Sequence, residues 1–381
     1  MIKIVSIFGT RPEAIKMVPV LLELAAHPQL FQSKICVTAQ HRQMLDRVLQ
    51  PFAIIPDHDL DIMVSGQDLF DVTCSIMKGL KKVLSIEKPH MVLVHGDTTT
   101  TLAASLAAYY LKISVGHIEA GLRTGNKFAP FPEEINRKLT GTLADLHFAP
   151  TTCARQNLLA EGVDDSTIYI TGNTGIDALL AATCLLNSST GILQKLNAQF
   201  SYLDPGKRLI LVTGHRRENF GDAFEQICLA LLDIADKCPD VNIVYPVHLN
   251  PNIQEPVRRI LENAARKNIY LIQPVDYLPF VYLMNRSTVI ITDSGGVQEE
   301  APSLGKPVLI MRETSERPEA VEFGTARLVG ANRELIVSET LCLLNNPDAY
   351  QSMSMVHNPY GDGTAAKRIC EILRKQGVGS A

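Results

Sequence analysis

Short, nearly unbroken apolar runs alternate with amphipathic stretches along almost the whole chain, and this alternation restricts the fold more than any other feature. In the first half the runs fall at 2–8, 34–38, 91–95, 114–118, 147–149 and 168–171, with helix-period stretches at 14–26, 69–84 and 99–111 between them. Strands apolar on both faces, separated by helices, predict a parallel sheet buried between two helical layers. The stretch 186–208 breaks the pattern with polar clusters and a Pro-Gly turn, and reads as a connection. A second series follows, with strands at 209–212, 241–247, 269–272, 289–292, 308–311 and 326–329 and helices at 223–237 and 256–265.

A chain of 381 residues suits two domains. The sequence predicts a first Rossmann-like domain over 1–172, a second over 173–361, and a C-terminal helix in 362–381 that packs back on the first. The halves echo each other. "IVSIFGTRPE" and "LILVTGHRRE" are each strand, Gly, one residue, Arg, one residue, Glu. Two α/β halves of this kind bind ligands at the carboxyl ends of their strands.

Composition excludes several function classes. With 46% hydrophobic and 20% charged residues and a net charge of −4, the chain has no basic field for nucleic acid or an acidic membrane. It shows no signal-peptide pattern and no apolar run near the roughly 18–20 residues of a bilayer span. The cysteines at 36, 74, 153, 184, 228, 238, 342 and 370 form no CxxC pair and read as buried, reduced thiols of a cytoplasmic protein.

Two strand-to-helix junctions have the chemistry of anion sites. In "FGTRPEAIKM", Gly9 permits a tight turn, and Arg11 and Lys16 stand near a helix start whose free N–H groups already favour an anion. In "ITDSGGVQEEAPSLGKPVLI", Ser294, Gly295 and Gly296 let backbone amides approach a phosphate, and Glu300, one turn on, is placed to accept from a ribose diol. The GxGxxA spacing at 361–366 follows no strand, so it is no dinucleotide fingerprint, and no NAD is expected.

Acids crowd the same rim. Asp97 ends one predicted strand, Glu119 ends the next, Glu133 precedes a helix in a proline-punctuated loop, and His215 opens the first loop of the second half. Acids beside a diphosphate raise the cost of binding it, so a site that keeps them uses them to move protons or to stabilise positive charge. Neither "HGD" nor "GHIE" has a zinc-ligand spacing, so no metal is expected.

Taken together, "FGTRPEAIKM", "TAQHRQMLD", "LVHGDTTTT", "GHIEAGLRTG", "PEEINRKLTG", "GHRRENFG", "YPVHLNP", the ITDSGG stretch and "NPYGDG" resemble the non-hydrolysing bacterial UDP-N-acetylglucosamine 2-epimerases over residues 2–373. The resemblance implies a glycosyltransferase-B-like architecture, two Rossmann-like domains whose parallel sheets face a cleft. It implies reversible conversion of UDP-N-acetylglucosamine to UDP-N-acetylmannosamine for bacterial surface polysaccharide synthesis, in a cytoplasmic homodimer without cofactor or metal. By motif position it makes Asp97, Glu119, Glu133 and His215 the catalytic group. It assigns substrate contacts to Arg11, Lys16, Ser294, Gly295, Gly296, Glu300 and Arg317, and puts Phe280 near the uracil. Gln40, Gln43, Arg216 and His248 match motifs tied to activation by a second substrate molecule. An arginine that some relatives carry near 64–67 is missing here. The alternative on the same fold is an inverting glycosyltransferase with a UDP-sugar donor, which needs an acceptor pocket and one base.

Overall fold

The computed structural model describes residues 1–38, 42–64, 66–314, 318–355 and 358–377. The chain forms two compact units, Met1–Ala178 with Tyr360–Ala381, and Leu179–Pro359. The first is built on a seven-stranded sheet of β1 (Ile2–Phe8), β2 (Phe31–Val37), β3 (His58–Asp59), β4 (Met91–His95), β5 (Ser114–Ile118), β6 (Leu146–Ala149) and β7 (Ile168–Ile170), in the order β3-β2-β1-β4-β5-β6-β7. The second has six strands, β8 (Arg208–Thr213), β9 (Val241–Pro246), β10 (Ile269–Ile272), β11 (Val289–Thr292), β12 (Val308–Ile310) and β13 (Ala326–Leu328), in the order β10-β9-β8-β11-β12-β13. All these pairings are parallel.

The continuous apolar runs are explained by burial on both faces. Along β1, Ile4 and Phe8 enter one core with the helix Arg11–Ala26, while Val5 and Ile7 enter another with the helices Leu69–Glu87 and Thr99–Tyr110. Successive strand side chains point to opposite faces, so a strand covered on both sides is apolar at nearly every position. The C-terminal helix Ala365–Gly377 adds Ala366, Ile369, Cys370 and Leu373 to the core that holds Met17, Leu21 and Leu24. Its first turn is fixed by the Ala366 N–H donating to Asp177 Oδ1 at 2.8 Å.

Several details differ from the expectations. The stretch 186–208 is not a plain connection. The helix Thr174–Ser188 bends by 94° into another, Thr190–Gln199, capped by the Ser189 hydroxyl. The predicted helix 256–265 is a short helix, Pro251–Pro256, continued by a π-helical turn, Val257–Glu262. The two-residue β3 has no apolar run to announce it. The units divide within the helix Thr174–Ser188 rather than at 172, because Asn173 and Asp177 hydrogen-bond Tyr360 and Ala366 in the first unit. Cys36, Cys228, Cys238 and Cys370 are buried, but Cys74, Cys153 and Cys184 are exposed. Among the described residues no single helix is long and apolar enough to cross a membrane.

In each sheet the strand order reverses beside the first strand, between β1 and β4 and between β8 and β11. Loops leaving neighbouring strands there diverge to opposite faces and leave room for a ligand at the strand ends. The loop after β5 is held by Gly121, at φ +90°, whose added Cβ would stand 2.2 Å from the Ala154 carbonyl oxygen. Neither the dihedral nor the backbone neighbour can yield cheaply. Gly121→Ala is expected to destabilise the first unit by about 2 kcal/mol or more in urea unfolding; a change within about 0.5 kcal/mol contradicts this packing.

Candidate active site

In the first unit the candidate residues gather at the ends of β1, β4 and β5. Thr10 caps the helix Arg11–Ala26, Arg11 is its exposed first residue, and Lys16 lies about one turn further in. Gly9 is needed for space rather than for turning, since an added Cβ would lie 2.0 Å from Thr38 Oγ1. The Lys16 ammonium pairs with Glu119 Oε2, an oxygen also 3.9 Å from His95 Nε2. Glu119 itself has φ +63°, a left-handed conformation uncommon for a residue with a Cβ. Such strain persists only where the surroundings over-determine it, and it tends to mark functional sites.

Asp97 leaves β4 through a loop held by the Asn136 amide, which donates to the Asp97 carbonyl at 2.9 Å. Its carboxylate pairs with the Arg137 guanidinium, which also donates to the buried Glu134 at 3.2 Å. Burial pushes the Asp97 carboxyl above its ordinary value; Arg137 opposes the rise, and Glu119 and Glu133 add to it. Glu119 and Glu133 thus both act on Asp97, with Glu133 opening the helix Glu133–Leu143.

In the second unit His215 and Arg216 leave β8, and Asp293 and Ser294 leave β11. Ser294 caps the helix Gly295–Glu300, so Gly295 and Gly296 form its first turn and Glu300 ends it. Arg216 Nη2 is 3.8 Å from where a Gly295 Cβ would stand, which puts a cation beside those amides. The His215 ring stacks on His248 with centroids 5.8 Å apart, bringing a predicted catalytic residue against one expected at a second-ligand site. Burial lowers the His215 pKa, opposed by Asp293 and assisted by Arg216 and His248. Phe280 is half-buried on the helix Tyr277–Arg286. Gln40 and Arg317 lie outside the described residues, as does the Gln43 side chain.

Sequence reasoning missed Arg137, His95, Glu13 and Asp293. Arg137 sits one helical turn beyond the acid that drew notice, in "PEEINRK", and that i,i+4 spacing was the available signal. His95 lies two residues before Asp97, and Asp293 directly precedes Ser294. Glu13 is buried and accepts from the Gly9 and Thr10 N–H groups at 3.1 and 2.8 Å and from the Thr98 hydroxyl at 2.7 Å.

Two units of this topology, one with acids at its strand ends and one with a cation beside a glycine-opened helix, define a nucleotide-sugar enzyme of the two-Rossmann class. The comparisons are more specific. The family model described as UDP-N-acetylglucosamine 2-epimerase matches residues 23–374. A UDP-N-acetylglucosamine 2-epimerase of Escherichia coli (strain K12) is 59% identical over 376 residues, covering 99% of each chain. The crystal structure of UDP-GlcNAc 2-epimerase from Neisseria meningitidis bound to UDP-GlcNAc superposes with a TM-score of 0.89 at 50% identity, covering 98% of this chain and 100% of that one. The S. aureus MnaA–UDP co-structure gives 0.85 at 43% identity, covering 99% and 97%. The chain belongs to the UDP-N-acetylglucosamine 2-epimerase family, an isomerase family, and the glycosyltransferase alternative falls away.

Behind the acids lie buried histidines. His117 Nε2 is 2.7 Å from the Gly96 carbonyl oxygen, so that nitrogen is assigned the proton. Burial pushes His117 down to about 3 and His95 to about 4, from an ordinary value of 6.5. The folded state therefore holds these rings neutral where the unfolded chain would protonate them. Their contribution to stability is complete above pH 6.5 and is lost as pH falls from 6.5 towards 4. Urea unfolding of the first unit should lose about 2 kcal/mol per ring between about pH 7.5 and about pH 5. Imidazole NMR showing His117 to titrate near its ordinary value would contradict this reading.

Proposed function

We propose that the chain interconverts UDP-N-acetylglucosamine and UDP-N-acetylmannosamine by eliminating UDP and adding it back, without hydrolysing the sugar nucleotide. The observation that carries the reading is Asp97 and Glu119 at neighbouring strand ends with Glu133 at a helix start near Asp97, the Asp97 carboxyl being raised by burial and by the other two. Crowded carboxylates hold different protonation states at one pH, so one can take a proton while another gives one.

The C2 hydrogen of the sugar is not adjacent to a carbonyl, and a base alone removes it poorly. Breaking the C1–O bond first, with the electron pair leaving on the UDP oxygen, builds oxocarbenium character at C1 and acidifies C2–H. A carboxylate then takes the proton, and the C1–C2 double bond of a 2-acetamidoglucal forms. Reversal delivers a proton to the other face of C2 while UDP re-adds at C1. Two faces need two proton-handling groups, and Asp97, Glu119 and Glu133 supply them. A protonated His215 and the amides at Ser294, Gly295 and Gly296 stabilise the leaving diphosphate, and Arg11 and Lys16 are read as substrate contacts. Glu300 takes the ribose hydroxyls, Phe280 lies by the uracil, and Arg317 adds a further substrate contact.

The same reading places Gln40, Gln43, Arg216 and His248 at a second, activating substrate site; the stacking of His248 on His215 supports it. It also carries a cytoplasmic location and a homodimer, without membrane or nucleic-acid partners. Support for the dimer comes from Phe70, Tyr109, Tyr110 and Leu139, exposed on three helices that pack side by side.

Proton NMR of UDP-N-acetylglucosamine with the protein in D2O, without acceptor, should show UDP-N-acetylmannosamine appearing with deuterium at C2. Asp97→Asn and Glu119→Gln should each slow this by about 10²–10⁴-fold. An unchanged spectrum from either sugar, or free N-acetylmannosamine as the product, refutes the proposal. Light scattering after size exclusion should give twice the chain mass, and Tyr110→Glu should lower it; a monomer at every concentration tested contradicts the dimer.

A further inference from the structure

Asp293 is fully buried at the end of β11. Its Oδ2 accepts the backbone N–H of His215 and of Arg216, both at 2.8 Å, and is 3.5 Å from the Asn219 amide nitrogen, itself bonded to the Met311 carbonyl at 2.9 Å. That oxygen fixes the loop after β8. Among the described residues the other oxygen, Oδ1, has no aligned hydrogen-bond donor, and it faces His215 Nδ1 at 3.2 Å. A bare buried carboxylate oxygen is costly, and a modest turn of the imidazole gives it a donor.

The first unit makes the contrast. Glu13 accepts two amides just past the end of β1, Gly9 and Thr10, on one oxygen, and fills its other oxygen with the Thr98 and Thr101 hydroxyls. There both oxygens serve the loop. In the second unit one serves the loop and the other is aimed at the imidazole.

We propose that Asp293 is the positioning residue of His215, accepting its Nδ1–H and leaving Nε2 as the atom that meets the sugar nucleotide. The proposal deepens the epimerase reading and rests on it. A carboxylate behind an imidazole fixes the tautomer and stabilises the imidazolium. The charged or titratable groups facing His215 are Asp293, Arg216 and His248; the last two oppose its protonation, and Asp293 is the anion that favours it. Asp293→Asn keeps an oxygen for the two loop amides but turns an N–H2 toward Nδ1, which selects the tautomer protonated on Nε2.

The test compares wild type, Asp293→Asn, His215→Asn and the double variant, with UDP affinity by calorimetry and melting temperature as controls. Asp293→Asn should lower kcat about a hundredfold with little change in KM. It should also move the alkaline limb of the pH profile down by about one unit, since His215 then gives up its proton more easily. Adding Asp293→Asn to His215→Asn should cost nothing further. An equal cost in both backgrounds would reduce Asp293 to a loop clamp and overturn the proposal, as would an unmoved pH limb. The tautomer is read without activity, from long-range ¹H–¹⁵N correlations of the wild-type His215 ring. Protonated Nδ1 supports the proposal even if the variant fails to fold, and protonated Nε2 overturns it. If wild type shows the predicted tautomer but makes no new UDP-sugar, the epimerase reading fails and the Asp293–His215 pairing stands.

Discussion

Each half of this protein depends on a buried carboxylate that takes up backbone N–H groups where the first strand of the sheet ends. A parallel ladder satisfies the amides within the strands but not those of the loop that follows, and a buried unpaired amide is costly. Glu13 meets this need after β1 and Asp293 after β8. The loops they fix carry Arg11 in one unit and His215 and Arg216 in the other. The interaction that allows each sheet to end cleanly therefore also sets where its cations stand.

Charge at the strand ends follows the same economy. Parallel strands send all their carboxyl ends to one edge, so residues far apart in sequence, Asp97 and Glu119 among them, share one electrostatic environment. Carboxylates gathered there repel, and this structure pairs each with a cation from a different element, Asp97 with Arg137 and Glu119 with Lys16. Burial keeps His95 and His117 behind them neutral at neutral pH, so these two rings add no positive charge to the acids there.

Much of this was legible in the sequence. Unbroken apolar runs gave the parallel sheets because only strands covered on both faces need them. Asp97 and Glu119 stood out because a carboxylate at a strand end is unusual beside anion-binding signatures. The repeated Gly-x-Arg-x-Glu was a real sign of equivalent placement, since it follows β1 and β8, the corresponding strands of the two sheets. Yet the two glutamates diverge. Glu13 turns back onto its own loop, whereas Glu218 pairs with Arg312 and the loop after β8 relies on Asp293. A shared pattern fixed position without fixing partners. The helix Thr190–Gln199 was hidden for a related reason, its polar, glycine-containing sequence being held by tertiary contacts of Leu196 and by its cap rather than by a clear apolar stripe.

By itself the sequence determined the two α/β halves, the strand ends that carry chemistry, and the family, because these rest on periodicity and on motifs local in the chain. Only the tertiary structure decided which cation answers which acid, that Glu119 is held in a left-handed conformation, and that Asp293 lies behind His215. Those are matters of distance between residues brought together by strand order, and strand order in a parallel sheet comes from crossover connections and packing, which no local pattern encodes.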